Sequence, residues 1–123
     1  MNRERSHFRF MDLEIWQDAV AVGELLFRLA DRLEQKRLFR FAEQIRGSGL
    51  SISNNIAEGS GSESAREFAQ FLNITRRSVF ESANAVLMMQ RLGHLVDGEA
   101  TEIVERLDLL SRRILTFRRT LLP

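Results

Sequence analysis

The 123-residue sequence predicts an all-α protein with the architecture of an antiparallel, up-down four-helix bundle, and two observations support this prediction. Apolar residues recur at steps of three and four through four long segments, which is the period of amphipathic helices. The single Pro is Pro123 and only seven Gly are present, so residues that break helices are rare. Short turns between the segments make successive helices antiparallel neighbours. We expect a single domain, residues 1–123, with helices over about 12–33, 38–58, 64–92 and 99–121.

The first predicted helix carries two apolar rows. Asp12 is its expected N-cap, because a carboxylate there accepts hydrogen bonds from amides that lack a partner in the first turn. The first row is Ile15, Ala19, Val22, Leu26, Leu29 and Leu33, and the second is Trp16, Val20, Gly23, Phe27 and Ala30. A face this wide needs long partner helices to cover it.

The second predicted helix contains small residues in its middle. Gly47 and Gly49 each cost about 1 kcal/mol relative to Ala in a helix interior, so packing must hold this part helical. We expect Gly59 to end the helix as a left-handed cap. The inward row is Leu38, Phe41, Ala42, Ile45, Gly49, Ile52 and Ile56.

The third predicted helix begins with a capping box formed by Ser64 and Glu67, and it ends at a turn that contains Gly93. It also has two apolar rows: Phe68, Leu72, Thr75, Val79, Val86 and Met89 form the first, and Phe71, Ile74, Ser78, Ala85, Met88 and Leu92 form the second. The fourth helix has one regular row, which consists of Ile103, Leu107, Leu110, Ile114, Phe117 and Leu121.

The composition argues against several classes of function. The chain has no Cys, which removes disulfides and thiol chemistry. A di-iron bundle needs two Glu-x-x-His motifs, and the one match, Glu4 to His7, lies in the charged N-terminal arm. We expect no catalytic residues, metal or cofactor, and hence no enzyme. No apolar run approaches the roughly 20 residues of a membrane span, so we expect a cytoplasmic protein without membrane contact.

Arginine dominates the basic residues although the net charge is only +1. The planar guanidinium forms paired hydrogen bonds with phosphates and base edges, which favours nucleic-acid binding. The alternative is that a GC-rich genome supplies Arg codons throughout, and that these arginines form an ordinary solvated face. The predicted contacts are Arg112, Arg113, Arg118 and Arg119 on the last helix, and Arg3 and Arg5 in the N-terminal arm.

The second apolar rows of the first and third helices exceed what one small core requires. Phe39, Phe80 and Leu115 also lie outside the main rows. Large exposed apolar patches usually mark a contact with a partner, so we expect a homo-oligomer. Such an assembly would also bring the basic surfaces of several copies together.

A polar motif in the second and third helices resembles a known family. It consists of Ser51 to Gly59, with Asn-Ile-Ala-Glu-Gly at its end, followed by Glu67-Phe68, Phe71-Leu72, Ser78 and Glu81. The pattern is similar to that of the four-helix-bundle proteins encoded in intervening sequences of bacterial large-subunit (23S) ribosomal RNA genes. More distantly, it resembles the accessory proteins of diversity-generating retroelements. The resemblance implies a ring-shaped homopentamer and an association with RNA or DNA.

The motif residues have two interpretations. If the second and third helices pair about the turn at 59–62, the matched residues approach one another. They then form either a hydrogen-bonded network that fixes the turn and the register, or a shared surface between subunits. The residues concerned are Asn55, Glu58, Gly59, Glu67, Ser78 and Glu81. The sequence departs from the family pattern at Ser53, Ser62 and Arg77, where Pro, Arg and Gly are usual.

Together, these observations favour a non-enzymatic, oligomeric four-helix-bundle protein that binds structured RNA or DNA through arginine-bearing surfaces. The alternative is a protein–protein scaffold or adaptor that has no nucleic-acid ligand.

Overall fold

The computed structural model describes residues 7–122, which form a short 3-10 turn and four long α-helices. The turn, Arg9–Asp12, precedes α1 (Glu14–Gln35), α2 (Phe39–Ser60), α3 (Ala65–Arg91) and α4 (Asp97–Leu121). No strand occurs within this part of the chain. The predicted all-α, four-helix fold is therefore confirmed.

Each helix packs on the next one along the chain, and α4 closes the bundle with a smaller contact on α1. Contacts between α2 and α3 run in opposite directions along the two helices: Ser48 meets Ser82, whereas the later Ser51 meets the earlier Ser78. These two helices are therefore antiparallel.

The other neighbouring helices are antiparallel by the same criterion. Between α1 and α2, Gly23 lies near Gly49, and the later Asp31 pairs with the earlier Arg46. Between α1 and α4, Asp18 pairs with Arg113, and the later Arg32 pairs with the earlier Glu99. Between α3 and α4, Ala69 accepts a hydrogen bond from Arg118, and Gln90 donates one to Asp97. The up-down arrangement follows from these pairs.

The core is formed mainly by the first apolar row of each helix. Two predicted assignments differ: Phe41 of the α2 row is exposed, and Ala30 of the second α1 row is buried. On α1 this row is buried along its whole length, from Ile15 to Leu33. On α4 the row is buried from Ile103 to Ile114, and Phe117 and Leu121 pack against the core while remaining partly exposed. None of the helices in this part of the chain combines the length and the apolar character needed to cross a membrane.

Two expected helix ends are wrong. Asp12 does not cap α1, because it belongs to the 3-10 turn and Leu13 takes the N-cap position without a side-chain hydrogen bond. Gly59 does not end α2, because the helix continues to Ser60 and the following Gly61 has an ordinary φ of −85°.

The remaining turns agree better with the sequence analysis. Ser64 caps α3, since its Oγ accepts a hydrogen bond from the Glu67 amide at 3.1 Å. Gly93 has a positive φ of 82° after α3, which a glycine adopts without strain. Arg37, between α1 and α2, is also left-handed, with a φ of 64°.

Candidate functional site

The structure brings together only some of the motif residues. The Asn55 side-chain amide donates to the Ser51 carbonyl at 2.8 Å and to Ser51 Oγ at 2.9 Å. Ser51 Oγ lies 2.8 Å from Ser78 Oγ, so Asn55 reaches Ser78 through Ser51. The side chains of Glu58, Glu67 and Glu81 are exposed and take no part in these bonds.

Sequence reasoning missed most of the hydroxyl groups at this contact, which we call the α2–α3 seam. Buried Ser82 donates to Ser48 Oγ at 2.8 Å, and Thr75 donates to the Ile52 carbonyl at 3.4 Å. Paired hydroxyls satisfy each other where water is excluded, and small side chains let the two helices approach closely. The sequence did contain an indication of this contact, because small polar residues recur at steps of three and four on both helices. They are Ser48, Ser51 and Asn55 on α2, and Thr75, Ser78 and Ser82 on α3.

Gly59 contributes to the same seam by leaving room for aromatic rings. A Cβ atom at Gly59 would lie 2.6 Å from Phe71 Cβ and 2.8 Å from Phe68 Cδ1. Both distances are shorter than real carbon contacts, so no other residue fits without moving α3. The glycine therefore serves helix packing, and within the motif Asn55, Gly59 and Ser78 are the residues that lie at the contact between α2 and α3.

Two of the predicted arginines on α4 form ion pairs within the chain. Arg113 Nη1 lies 2.6 Å from Asp18 Oδ2 and links α4 to α1. Arg112 lies 3.1 Å from Asp108, one helical turn earlier. Arg112 and Arg113 also border a cleft of about 470 Å³ at the start of α1, where Glu14 supplies another negative charge. The charge of this surface is consequently mixed.

The other predicted arginines are placed differently. Arg118 is half-buried, and its Nε donates to the Ala69 carbonyl at 2.9 Å. Arg119 is exposed and forms no ion pair within residues 7–122. Arg3 and Arg5 lie outside the described residues. Of the four predicted contacts on α4, Arg119 is thus the one that the described fold leaves available without breaking an internal bond.

A second pair of arginines, on α3, was missed by sequence reasoning. Arg76 and Arg77 form no ion pair with any carboxylate in the described part of the chain. Together with Asn73 and Phe80 they border a cleft of about 280 Å³, which we call the α3 cleft. The sequence did contain an indication of this surface: Arg76, Arg77 and Phe80 follow Asn73 by three, four and seven residues, which places all four on one face of a helix.

Arg46 has a structural role between α1 and α2. Its guanidinium lies 2.6 Å from Asp31 and 3.1 Å from Glu34. Hydrogen bonds from Glu34 and then Asp31 stabilise the charged form and raise the pKa of Arg46 above its usual value. The ion pairs of Arg46 therefore hold α1 and α2 together.

Within residues 7–122, no three His, Asp or Glu side chains lie close enough to hold a metal ion.

The comparisons with known proteins agree with the polar motif. A family model described as 23S rRNA-intervening sequence protein matches residues 11–116, which include α1, α2 and α3 completely and most of α4. A search of curated proteins found no match. Because the family model covers most of the sequence, the chain belongs to the family of 23S rRNA-intervening sequence proteins.

Proposed function

We propose that this protein is a non-catalytic scaffold that assembles with further copies of itself and binds structured RNA or DNA through arginine-bearing surfaces. The observation that carries the proposal is that the second apolar rows of α1 and α3 stay partly exposed although the core of the bundle is complete. The family description refers to 23S rRNA intervening sequences, so an RNA is the first ligand to test.

The first uncovered apolar surface lies between α1 and α2. Phe27 is 37% exposed and Leu50 is 55% exposed, and both line a cleft of about 450 Å³ together with Val20. Glu24 and Asp31 lie at the same cleft. Burying such side chains against another molecule is favourable by about 25 cal/mol per Å² of apolar surface.

The second uncovered surface lies on the opposite side of α2, towards α3. Ile74 and Met88 are 43% and 48% exposed, and Phe41 lies next to Met88 in a smaller cleft. Two different apolar surfaces on one subunit favour a head-to-tail contact between copies. Such contacts produce a ring when the rotation from each subunit to the next brings the last copy against the first. The homopentamer that the family resemblance implies is one such ring, and we propose it here.

Assembly would strengthen weak electrostatic binding. Each copy presents Arg119 on α4 and Arg76 with Arg77 on α3, so a ring repeats these charges at fixed spacing. A long polyanion that contacts several copies binds more tightly than any single contact allows. Such repetition explains how a chain with a net charge of +1 can hold a nucleic acid.

The test of assembly is light scattering on the wild type and on two matched variants. Leu50→Glu places a charge in the α1–α2 cleft and should reduce the mass to that of smaller species. Leu109→Glu changes a similarly exposed Leu on α4 (48%, against 55% for Leu50) and should leave the mass unchanged. A wild type that is monomeric at tens of micromolar would refute the assembly.

The test of nucleic-acid binding is the affinity for a labelled RNA hairpin across a salt series. When arginines bind phosphates, the logarithm of the binding constant falls linearly with the logarithm of the salt concentration. Arg112→Gln combined with Arg119→Gln should flatten this slope. Arg106→Gln, which removes a comparable pair with Glu102, is the control and should leave the slope unchanged.

One observation favours the alternative, an adaptor that binds another protein and no nucleic acid. Arg112 and Arg113 already have carboxylate partners, so their charges are partly neutralised within the chain. If the wild type shows no RNA or DNA binding at low salt while remaining oligomeric, the adaptor function is the correct one.

A further inference from the structure

One face of α3 carries an aromatic ring beside two arginines, and the proposed assembly does not use it. Asn73, Arg76, Arg77 and Phe80 share this face and border the α3 cleft. Phe80 is 61% exposed, although a solvated helix surface has no need of a large apolar ring. The ring and the charges are adjacent, so they offer a ligand two kinds of contact at once.

Arg76 and Phe80 contact each other directly. The guanidinium carbon of Arg76 lies 5.6 Å from the centroid of the Phe80 ring, which is a cation–π contact. This contact limits the conformations of both side chains. They are therefore partly ordered before a ligand binds. One face of the ring is engaged by Arg76, and the high exposure of Phe80 leaves much of its surface open.

The hydrogen bonds of Arg76 are incomplete. Its Nε is buried and has no hydrogen-bond partner within residues 7–122. A buried N–H without an acceptor is costly, so native structures rarely keep one. A ligand that supplies an acceptor, such as a phosphate oxygen, would satisfy this donor.

The acidic groups near the α3 cleft are occupied or directed elsewhere. Asp108 of α4 lies near Phe80, but it pairs with Arg112 at 3.1 Å. Glu81 follows Phe80 in the sequence and borders the cleft towards α2. The local charge around Arg76 and Arg77 is therefore positive.

We infer that the α3 cleft binds one nucleotide of a single-stranded RNA or DNA segment. The base stacks on Phe80, the adjacent phosphates pair with Arg76 and Arg77, and the Asn73 amide contacts the base edge. This inference rests on the proposed function and adds to it a location and a preference for unpaired strands. Bases in a duplex are already stacked on each other, so an exposed aromatic ring selects bases in loops or single strands.

The size of the cleft agrees with a single base. Pockets that enclose a drug-sized ligand have volumes of about 300–1,000 Å³. The α3 cleft, at about 280 Å³, is smaller and open to solvent, and residues of α3 alone line it, so it has room for one base but does not enclose it. Every base has a π-face, so the contact tolerates different sequences.

The experiment measures binding of a labelled single-stranded RNA of about ten nucleotides, and of the matching duplex, by fluorescence anisotropy. Phe80→Ala should weaken single-strand binding by roughly tenfold, with little change for the duplex. Replacing Arg76 and Arg77 by Gln should lower the salt slope for the single strand by about 1.4, or about 0.7 for each phosphate that an arginine no longer neutralises.

Phe39→Ala and Arg40→Gln are the matched controls, because they change an exposed Phe and an exposed Arg that are neighbours on α2. Neither should alter single-strand binding. Circular dichroism and light scattering verify that each variant keeps its helices and its mass.

Four results would overturn the inference, and the first three separate it from the proposed function. If Phe80→Ala binds the single strand as tightly as the wild type, no base stacks there. If Phe80→Ala changes the oligomer mass instead, the ring belongs to a contact between copies. If the wild type binds RNA and only the α4 variants weaken it, the inference fails while the proposed function stands. Absence of any binding at low salt would refute both.

Discussion

The α2–α3 seam and the contact between α1 and α4, which we call the α1–α4 seam, use opposite means to hold two helices together. The α2–α3 seam has buried hydroxyls and a glycine that admits Phe71 and Phe68. The α1–α4 seam is the smallest contact between neighbouring helices, and ion pairs at its surface cross it. Close packing of uncharged groups is sensitive to one added methyl group, whereas exposed ion pairs contribute little.

This difference indicates where each seam can tolerate change. The family's polar motif lies at the α2–α3 seam, and its members there serve packing and hydrogen bonding. The α1–α4 seam instead uses Arg113, which sequence reasoning assigned to a ligand. The following variants test the contrast between the seams, and their unfolding is compared at one fixed protein concentration because assembly would add to stability.

The largest effect is expected for Gly59→Ala at the α2–α3 seam. The new Cβ would lie 2.6 Å from Phe71 Cβ, which is close to the backbone and cannot rotate away. We expect a loss of about 2 kcal/mol in the free energy of unfolding, measured by urea denaturation. The control is Gly47→Ala, which meets no atom within 4 Å and should stabilise α2 by up to about 1 kcal/mol. Equal effects of the two variants would contradict the packing role of Gly59.

An intermediate effect is expected for Ser82→Ala. It removes a buried hydroxyl that donates to Ser48 at 2.8 Å, and we expect a loss of about 1 kcal/mol. A double-mutant cycle with Ser48→Ala measures the coupling. If the two losses simply add, the hydroxyls do not stabilise each other.

The smallest effect is expected for Arg113→Gln at the α1–α4 seam. The Arg113–Asp18 pair is partly exposed, and such pairs contribute about 0–1 kcal/mol. The loss should shrink as salt is added, because ions screen exposed charges. A loss as large as that of Gly59→Ala, or one independent of salt, would show that the two seams do not differ as described.

The periodicity of apolar residues was sufficient to predict the fold and most of the core, although it placed the exposed Phe41 in an inward row. It placed Ile15 and Leu33 in one buried row and left Phe27 in a second row, which is partly exposed. The role of a glycine was harder to predict, because both a helix cap and a close contact between helices favour this residue. At Gly59 the nearby Phe71 of α3 shows that the role is the close contact.

The arginines show why the candidate site could not be predicted fully. Arg113 and its partner Asp18 are 95 residues apart in the sequence, so spacing along one helix does not reveal the pair. Arg76 and Arg77 were not predicted as contacts, because Arg77 was noted only as a departure from the family pattern and no second arginine pair lies near them on α3. They become distinctive only when Phe80 lies against Arg76 in the folded helix.

Sedimentation equilibrium of the purified protein at tens of micromolar tests the central claim, that uncovered apolar rows make this bundle assemble. The subunit has a mass of 14.2 kDa, and a ring of five would have a mass of about 71 kDa. We expect a mass several times that of the subunit, with the ring of five as the proposed species. A single species of 14.2 kDa would contradict the account.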